Sequence, residues 1–330
     1  MALSVIICTY RRTEPVAQLL ACLAQQTFAN FEVLLIDGAG ANGYAQSLAT
    51  VERHAPRLAV RVIASEKGLT RQRNAGLRAA RGELICLLDD DVAFEADFLA
   101  KIVEAFARPG MERVGGLTGY DVIHYPQAIN ARWRLRRMLR IVPALEPGAI
   151  DRLGASVPVS FCAPFAGSKP VGFFYGFCMI YRRAAIAGLW FDEELPTYGG
   201  EDRDFSFRVG RGWELRLDGD LKLRHFRSGE SRDSSVERTR QTGFGAGRTF
   251  AKQRRYAFDY ARLAWSMAGE FLIDTLAFVE NPSRDRARMP WARVAGTLAG
   301  VRSAPPKPPA PGVRLASESA ESVNPERVNV

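Results

Sequence analysis

No apolar run in these 330 residues is long enough to cross a bilayer. The longest uncharged stretch of strong apolar character, PVGFFYGFCMIY from Pro170 to Tyr181, falls well short of the roughly 20 residues a spanning helix needs. Cysteine is scarce. Cys8, Cys22, Cys86, Cys162 and Cys178 are odd in number, form no C-x-x-C pair and mostly sit in apolar runs, as reduced core thiols do in a cytoplasmic compartment. The opening MALSVIICTYRR has no charged leader ahead of its apolar stretch and meets two arginines almost at once, so it reads as a first strand rather than a signal peptide. Internal repeats, zinc-ligand spacing and an aromatic-basic recognition module are also missing. The net charge of +9 therefore points to phosphate-bearing substrates or an anionic membrane surface rather than nucleic acid.

With 47% hydrophobic residues the chain can bury a sizeable core, in one large domain or two small ones. Apolar runs at 3–10, 31–37, 58–64 and 83–90 read as strands, and Pro15 to Gln26, Gly43 to His54 and Thr70 to Ala80 as helices between them. That alternation predicts a Rossmann-like α/β fold, a mostly parallel sheet flanked by helices, with its chemistry at the strands' carboxyl ends. Three such ends are informative: Thr9-Tyr10-Arg11-Arg12, Asp37-Gly38 and Asp89-Asp90-Asp91. Consecutive acids at a buried strand's end repel one another unless a cation neutralises them, and Mg²⁺ or Mn²⁺ prefers carboxylate oxygens. An acidic turn or helix cap ahead of the helical spacing in DVAFEADFLAKIVEAFA is the alternative.

CTYRR, FEVLLID, GLTRQRNAGLRAARGELICLLDDD and GGEDRDFSFRV, in that order, resemble the family 2 nucleotide-sugar glycosyltransferases of type A fold over roughly residues 3 to 230. The resemblance implies a nucleoside diphosphate sugar donor held by Thr9, Arg11, Asp37, Arg73, Asp89 and Asp90. Asp91 would be the ligand of a Mg²⁺ or Mn²⁺ ion that offsets charge on the departing diphosphate, and Asp89 the ribose contact. Asp37 would contact the base. Here the chain departs from the family, with Asp37-Gly38-Ala39-Gly40 in place of the usual second acid or Asn, and a plain Asp-Gly turn is the alternative. Arg73 and Asn74 match the family's R-N-x-G element, while Arg71, Arg78 and Arg81 suit a solvated helix face.

Within GGEDRD, the resemblance places the catalytic base of an inverting transfer at Asp202, with Glu201 on acceptor hydroxyls. A sugar hydroxyl is a poor nucleophile near neutral pH, so one carboxylate must take its proton. Acids at a helix start, favoured by its positive end, are the other reading. His225 resembles an additional metal or diphosphate ligand, whereas His54 and His124 read as surface or packing residues. Trp213 suits core packing, and Phe173, Phe174, Tyr175 and Phe177 suit either an acceptor wall or a core strand.

Beyond the resemblance, RWRLRRMLR (132 to 140) reads as a basic amphipathic helix and 256 to 280 as a long amphipathic one. Both suit peripheral attachment to an anionic membrane, on the inner face of the cell membrane, where lipid-linked acceptors reside; packing on the catalytic domain or homodimerisation are the rivals. The expected layout is a catalytic domain at 1–230, a helical extension at 231–302 and a disordered Pro-rich tail at 303–330. The expected activity is metal-dependent, inverting sugar transfer to a glycan or lipid-linked acceptor in cell-surface polysaccharide assembly. A nucleotidyltransferase making the activated sugar would share the architecture, but CTYRR stands where its Gly-rich triphosphate loop would be; a non-catalytic nucleotide-binding relative is the other alternative.

Overall fold

A computed structural model describes residues 1–143, 146–227 and 234–303. In chain order the elements are β1 (Leu3–Thr9), α1 (Thr13–Ala24), β2 (Phe31–Asp37), α2 (Gly40–His54), β3 (Val60–Ala64), α3 (Leu69–Ala79), β4 (Leu84–Asp89), β5 (Val92–Phe94), α4 (Phe98–Ala107), β6 (Val114–Asp121) and α5 (Ala131–Met138). The second half adds β7 (Ser168–Pro170), β8 (Cys178–Arg182), α6 (Glu201–Val209), β9 (Glu214–His225), α7 (Ser235–Gln253), α8 (Asp259–Glu280) and α9 (Arg284–Ser303).

The strands form one sheet in the order β3-β2-β1-β4-β8-β6-β9-β5, with β7 on β9. Its parallel character belongs to β3-β2-β1-β4; β8 then runs antiparallel to both β4 and β6, and β9 runs parallel to β6. Alternate residues of a strand point to opposite faces, and here both faces are covered, so the first strands are apolar at nearly every position. Leu3, Val5 and Ile7 of β1 pack with Leu19, Leu20, Phe98 and Ile102, from α1 and α4, on one face. Ile6 packs with Leu77 of α3 and Phe205 of α6 on the other. The register sets Thr9 beside Asp37 and Cys8 beside Asp89, so the three predicted strand ends do lie side by side.

Two glycine seams hold the C-terminal helices, one between α7 and α9 and one between α7 and the rest. Where α7 crosses α9, a Cβ on Gly247 would lie 2.0 Å from the Thr297 carbonyl oxygen, and one on Gly300 2.0 Å from that of Phe244. A Cβ on Gly245 would lie 1.6 Å from the Gly199 carbonyl, which puts α7 directly on the loop that opens α6. The expected basic helix is present as α5 and has no buried residue, but its charge is partly spent: Arg136 binds Glu270 of α8 through two hydrogen bonds and Arg132 pairs with Glu280. The long helix expected at 256 to 280 is α8, buried only at Asp259, Gly269 and Ile273. No helix among the described residues is long and apolar enough to cross a membrane. Ser303, where the tail was expected to begin, ends α9, and 304–330 lie outside the described residues.

Candidate active site

Three acids follow β4 into one crevice and turn different ways. Asp90 is buried, accepts from the Thr9 hydroxyl (2.8 Å) and pairs with Arg12; burial pushes it up to about 7 against the pull of both partners. Asp91 accepts from Arg12 at 2.9 Å through Oδ2 and faces His225 Nε2 at 3.2 Å through Oδ1. Asp89 is the most open of the three, its side chain 31% exposed, and burial of its surroundings still raises its pKa against Arg73 and His225. Arg12, which the sequence reading passed over, is therefore the arginine that ties the cluster to β1. Arg11, the residue favoured from sequence, is exposed, adopts a left-handed φ of 57° and lies over the Tyr10 ring. That left-handed turn sends Arg11 outward and Arg12 inward.

Asp89, Asp91 and His225 each offer a ligand atom, and these atoms lie within 4.8 Å of one another. Two carboxylates and an imidazole so arranged fit a divalent cation, which would relieve the repulsion between the acids. His225 is oriented by stacking on Phe177, with ring centroids 5.0 Å apart, and its buried Nδ1 has no hydrogen-bond partner. His124, expected to be a surface or packing residue, sits edge-on to His225 and is held by the wholly buried Asp121 at 2.8 Å. Nothing in the sequence links Asp121-x-x-His124 to His225; β6 and β9 bring them together.

Asp37 is buried, and both its oxygens are engaged: Oδ1 accepts from the Ala39 amide at 2.6 Å and Oδ2 from the Ser47 hydroxyl. It thus fastens the start of α2, as the turn reading expects. The R-N-x-G element is also inward. Asn74 trades hydrogen bonds with the Phe191 backbone, Gln72 donates to the carbonyls of Thr9 and Ile36 at the ends of β1 and β2, and Arg71 is exposed beside Glu66 and Glu193.

Arg73, only 3% exposed, links the two halves of the site. It donates to Glu201 at 3.0 Å, to the Gly176 carbonyl at 3.1 Å and to Asp89 at 3.4 Å. Burial opposes its charge, but Glu201 and Asp89 outweigh that and raise its pKa. Burial, then the neighbouring Asp202, push Glu201 up to about 8 despite Arg73. Gly200, with a left-handed φ of 73°, turns the chain into α6, so that Glu201 points in to Arg73. Asp202 accepts from the Gly176 amide at 2.8 Å and borders a cavity of about 360 Å³ lined also by Trp133, Phe173, Tyr175, Tyr198 and Arg203. Of the four aromatics in GFFYGF, Phe173 and Tyr175 thus reach this cavity, Phe174 packs near Tyr181 in the core and Phe177 supports His225. Trp213 packs beside Gly115, in the core.

Residues 4–190 match the model of glycosyl transferase family 2. The uncharacterized glycosyltransferase YwdF of Bacillus subtilis is 33% identical over 32% of this chain and 38% of its own. Chondroitin synthase of Escherichia coli is 26% identical over 63% of this chain and 32% of its own. The validoxylamine A glucosyltransferase of Streptomyces hygroscopicus subsp. jinggangensis is 27% identical over 63% and 51%. The chain thus spans between a third and half of the length of these relatives. Among solved structures, S. aureus TarS 1-349 superposes with a TM-score of 0.56 at 19% identity, covering 91% of this chain and 81% of that one. The mannosyltransferase PcManGT of Pyrobaculum calidifontis, in complex with GDP-Man and Mn²⁺, gives 0.55 at 17%, covering 91% and 86%. With the fold, the ordered motifs and the family match in agreement, the chain belongs to glycosyltransferase family 2 and has the type A fold.

Proposed function

We propose that this enzyme moves a sugar from a nucleoside diphosphate to a hydroxyl of a glycan or lipid-linked acceptor, with inversion and dependence on a divalent cation. The observation that carries the reading is the placing of Asp202 between the acidic cluster and an open cavity, one residue from Glu201 and its bridge to Arg73. Asp89, Asp91 and His225 would hold Mg²⁺ or Mn²⁺. Such an ion, when bound, supplies positive charge to the diphosphate as it leaves. Asp202 takes the acceptor hydroxyl's proton while the oxygen attacks the anomeric carbon and the bond to the phosphate oxygen breaks on the opposite side. Glu201 is committed to Arg73 and serves as a positioning residue rather than a second base. The complexes of PcManGT with GDP-Man and Mn²⁺, and of TarS 1-349 with UDP-GlcNAc, support a donor of this class. The amylovoran biosynthesis glycosyltransferase AmsB, 33% identical over 33% of this chain, supports a polysaccharide setting.

Calorimetric titration of UDP, GDP, dTDP and CMP with and without Mn²⁺ tests the donor half. Metal-dependent binding of one nucleotide, lost in Asp91→Ala, is expected; no binding by any would overturn it. Asp202→Asn tests the base. It should retain nucleotide affinity within about twofold yet lose roughly 10²- to 10⁴-fold in transfer rate; a near-normal rate would remove Asp202 from the role.

A further inference from the structure

A second cavity, of about 270 Å³ and partly open to solvent, adjoins the first and is bordered by α5, α7, α8 and α9. Much of its wall is apolar, from Ile141, Val142, Phe250, Leu263, Met267 and Val294. Trp133, Ser156, Arg203 and Thr242 line both cavities, so the space beside Asp202 continues into it. Two cations of the second cavity's lining, of which Arg203 also borders the first, have no ion pair among the described residues. Arg203 donates only to the Ser156 hydroxyl, at 3.1 Å, and Arg140 is exposed in a left-handed turn of φ 53°. The remaining arginines of the lining, Arg136, Arg262 and Arg293, are neutralised by Glu270, Asp151 and Asp274. Trp265, which also lines the cavity, is 57% exposed, and Leu272 (45%) and Trp291 (67%) stay exposed on α8 and α9.

A largely apolar cleft with a few convergent polar groups is the usual form of a small-molecule site. Its continuity with the base's cavity assigns it to the acceptor, because the donor's acids lie across Arg73 on the other side. We propose that the cavity between α5, α7, α8 and α9 holds the apolar chain of the acceptor, with an anionic group of that acceptor at Arg203 and Arg140, so that the acceptor is an anionic amphiphile. This rests on the transferase reading above for the role of Asp202, and names the class of molecule the acceptor hydroxyl belongs to.

The probe is decyl phosphate, titrated below its micelle-forming concentration into the full chain and compared with inorganic phosphate. Ala246→Trp and Ser266→Phe fill the cavity from α7 and α8; Ala246 is exposed on its helix, so the larger ring is not forced into the core. Thermal unfolding and the nucleotide titration serve as fold controls. Decyl phosphate should bind at least tenfold more tightly than inorganic phosphate, and at least one filled variant should weaken it tenfold or more with nucleotide binding unchanged. No binding by the unmodified chain, or equal binding by both folded variants, overturns the proposal. Flotation with phosphatidylglycerol vesicles separates acceptor from bilayer lipid: unchanged flotation of the filled variants is expected, and its loss would assign the cavity to a membrane lipid and overturn the acceptor role. If no nucleoside diphosphate binds while the decyl phosphate pattern stands, the donor reading fails and the amphiphile subsite survives.

Discussion

Arg73 is a single buried charge shared between Asp89 of the acidic cluster and Glu201 of α6. Removing one partner of a buried pair strands the other, which costs about 3–5 kcal/mol. Arg73→Ala should therefore lower unfolding stability by that order, measured by urea denaturation. Arg73→Lys should recover only part of it, because an ammonium lacks the planar fork that reaches both acids. At the neighbouring position the expectation is sharper. Arg12→Gln, which removes the cation shared by Asp90 and Asp91, should weaken Mn²⁺ binding roughly 10- to 100-fold, as losses around metal ligands do, while Arg11→Gln should leave it within about twofold. Calorimetry with Mn²⁺ alone decides between them. Sequence could say that an arginine follows β1 near the acids, because a strand end and an acidic cluster in one parallel sheet meet there. It could not say which of two adjacent arginines turns inward, since that depends on the left-handed backbone of Arg11.

Among the elements, β1 to β4 and their helices were legible because strands buried on both faces leave unbroken apolar runs. The order β8-β6-β9 was not, because pairing between strands so far apart in the chain leaves no local pattern. Helix α7 lies within the helical extension expected at 231–302, although GFGAG within it costs about 1 kcal/mol per glycine in helix propensity, a cost that packing against α9 overrides. One of its ties to the catalytic half is Asp192, which Arg248 and Lys252 bind; burial would raise its pKa, and the two cations reverse this and hold it at about 2. A carboxylate with a lowered folded pKa stabilises above the unfolded value near 3.8 and loses that contribution as pH falls through about 2. Stability should accordingly drop between pH 4 and pH 2 by an increment of about 1–2 kcal/mol after solvent screening, absent in Asp192→Asn. Acid titration of the unfolding midpoint in both proteins would show it.

At the scale of the whole molecule, α5 and α8 present arginines and apolar side chains on one surface. Arg132 and Arg136 are spent on Glu280 and Glu270, whereas Arg134 and Arg137 are exposed without ion pairs among the described residues. Two outward charges contribute roughly 1 kcal/mol each near an anionic surface. Flotation with phosphatidylglycerol vesicles should thus occur at low salt, fade as ionic strength rises, and be lost in the Arg134→Glu, Arg137→Glu double variant; binding indifferent to salt would remove the electrostatic part of the membrane reading. The glycine seams bear on how such an enzyme can be improved. Replacing helix glycines by alanine is an ordinary route to a sturdier protein, gaining about 0.4–1 kcal/mol per site. At Gly245, Gly247 and Gly300 that route is closed, since a methyl would collide with a backbone carbonyl that no rotamer change can move. Thermostabilised versions, whether bred in the laboratory or by descent, must find their gains away from these crossings.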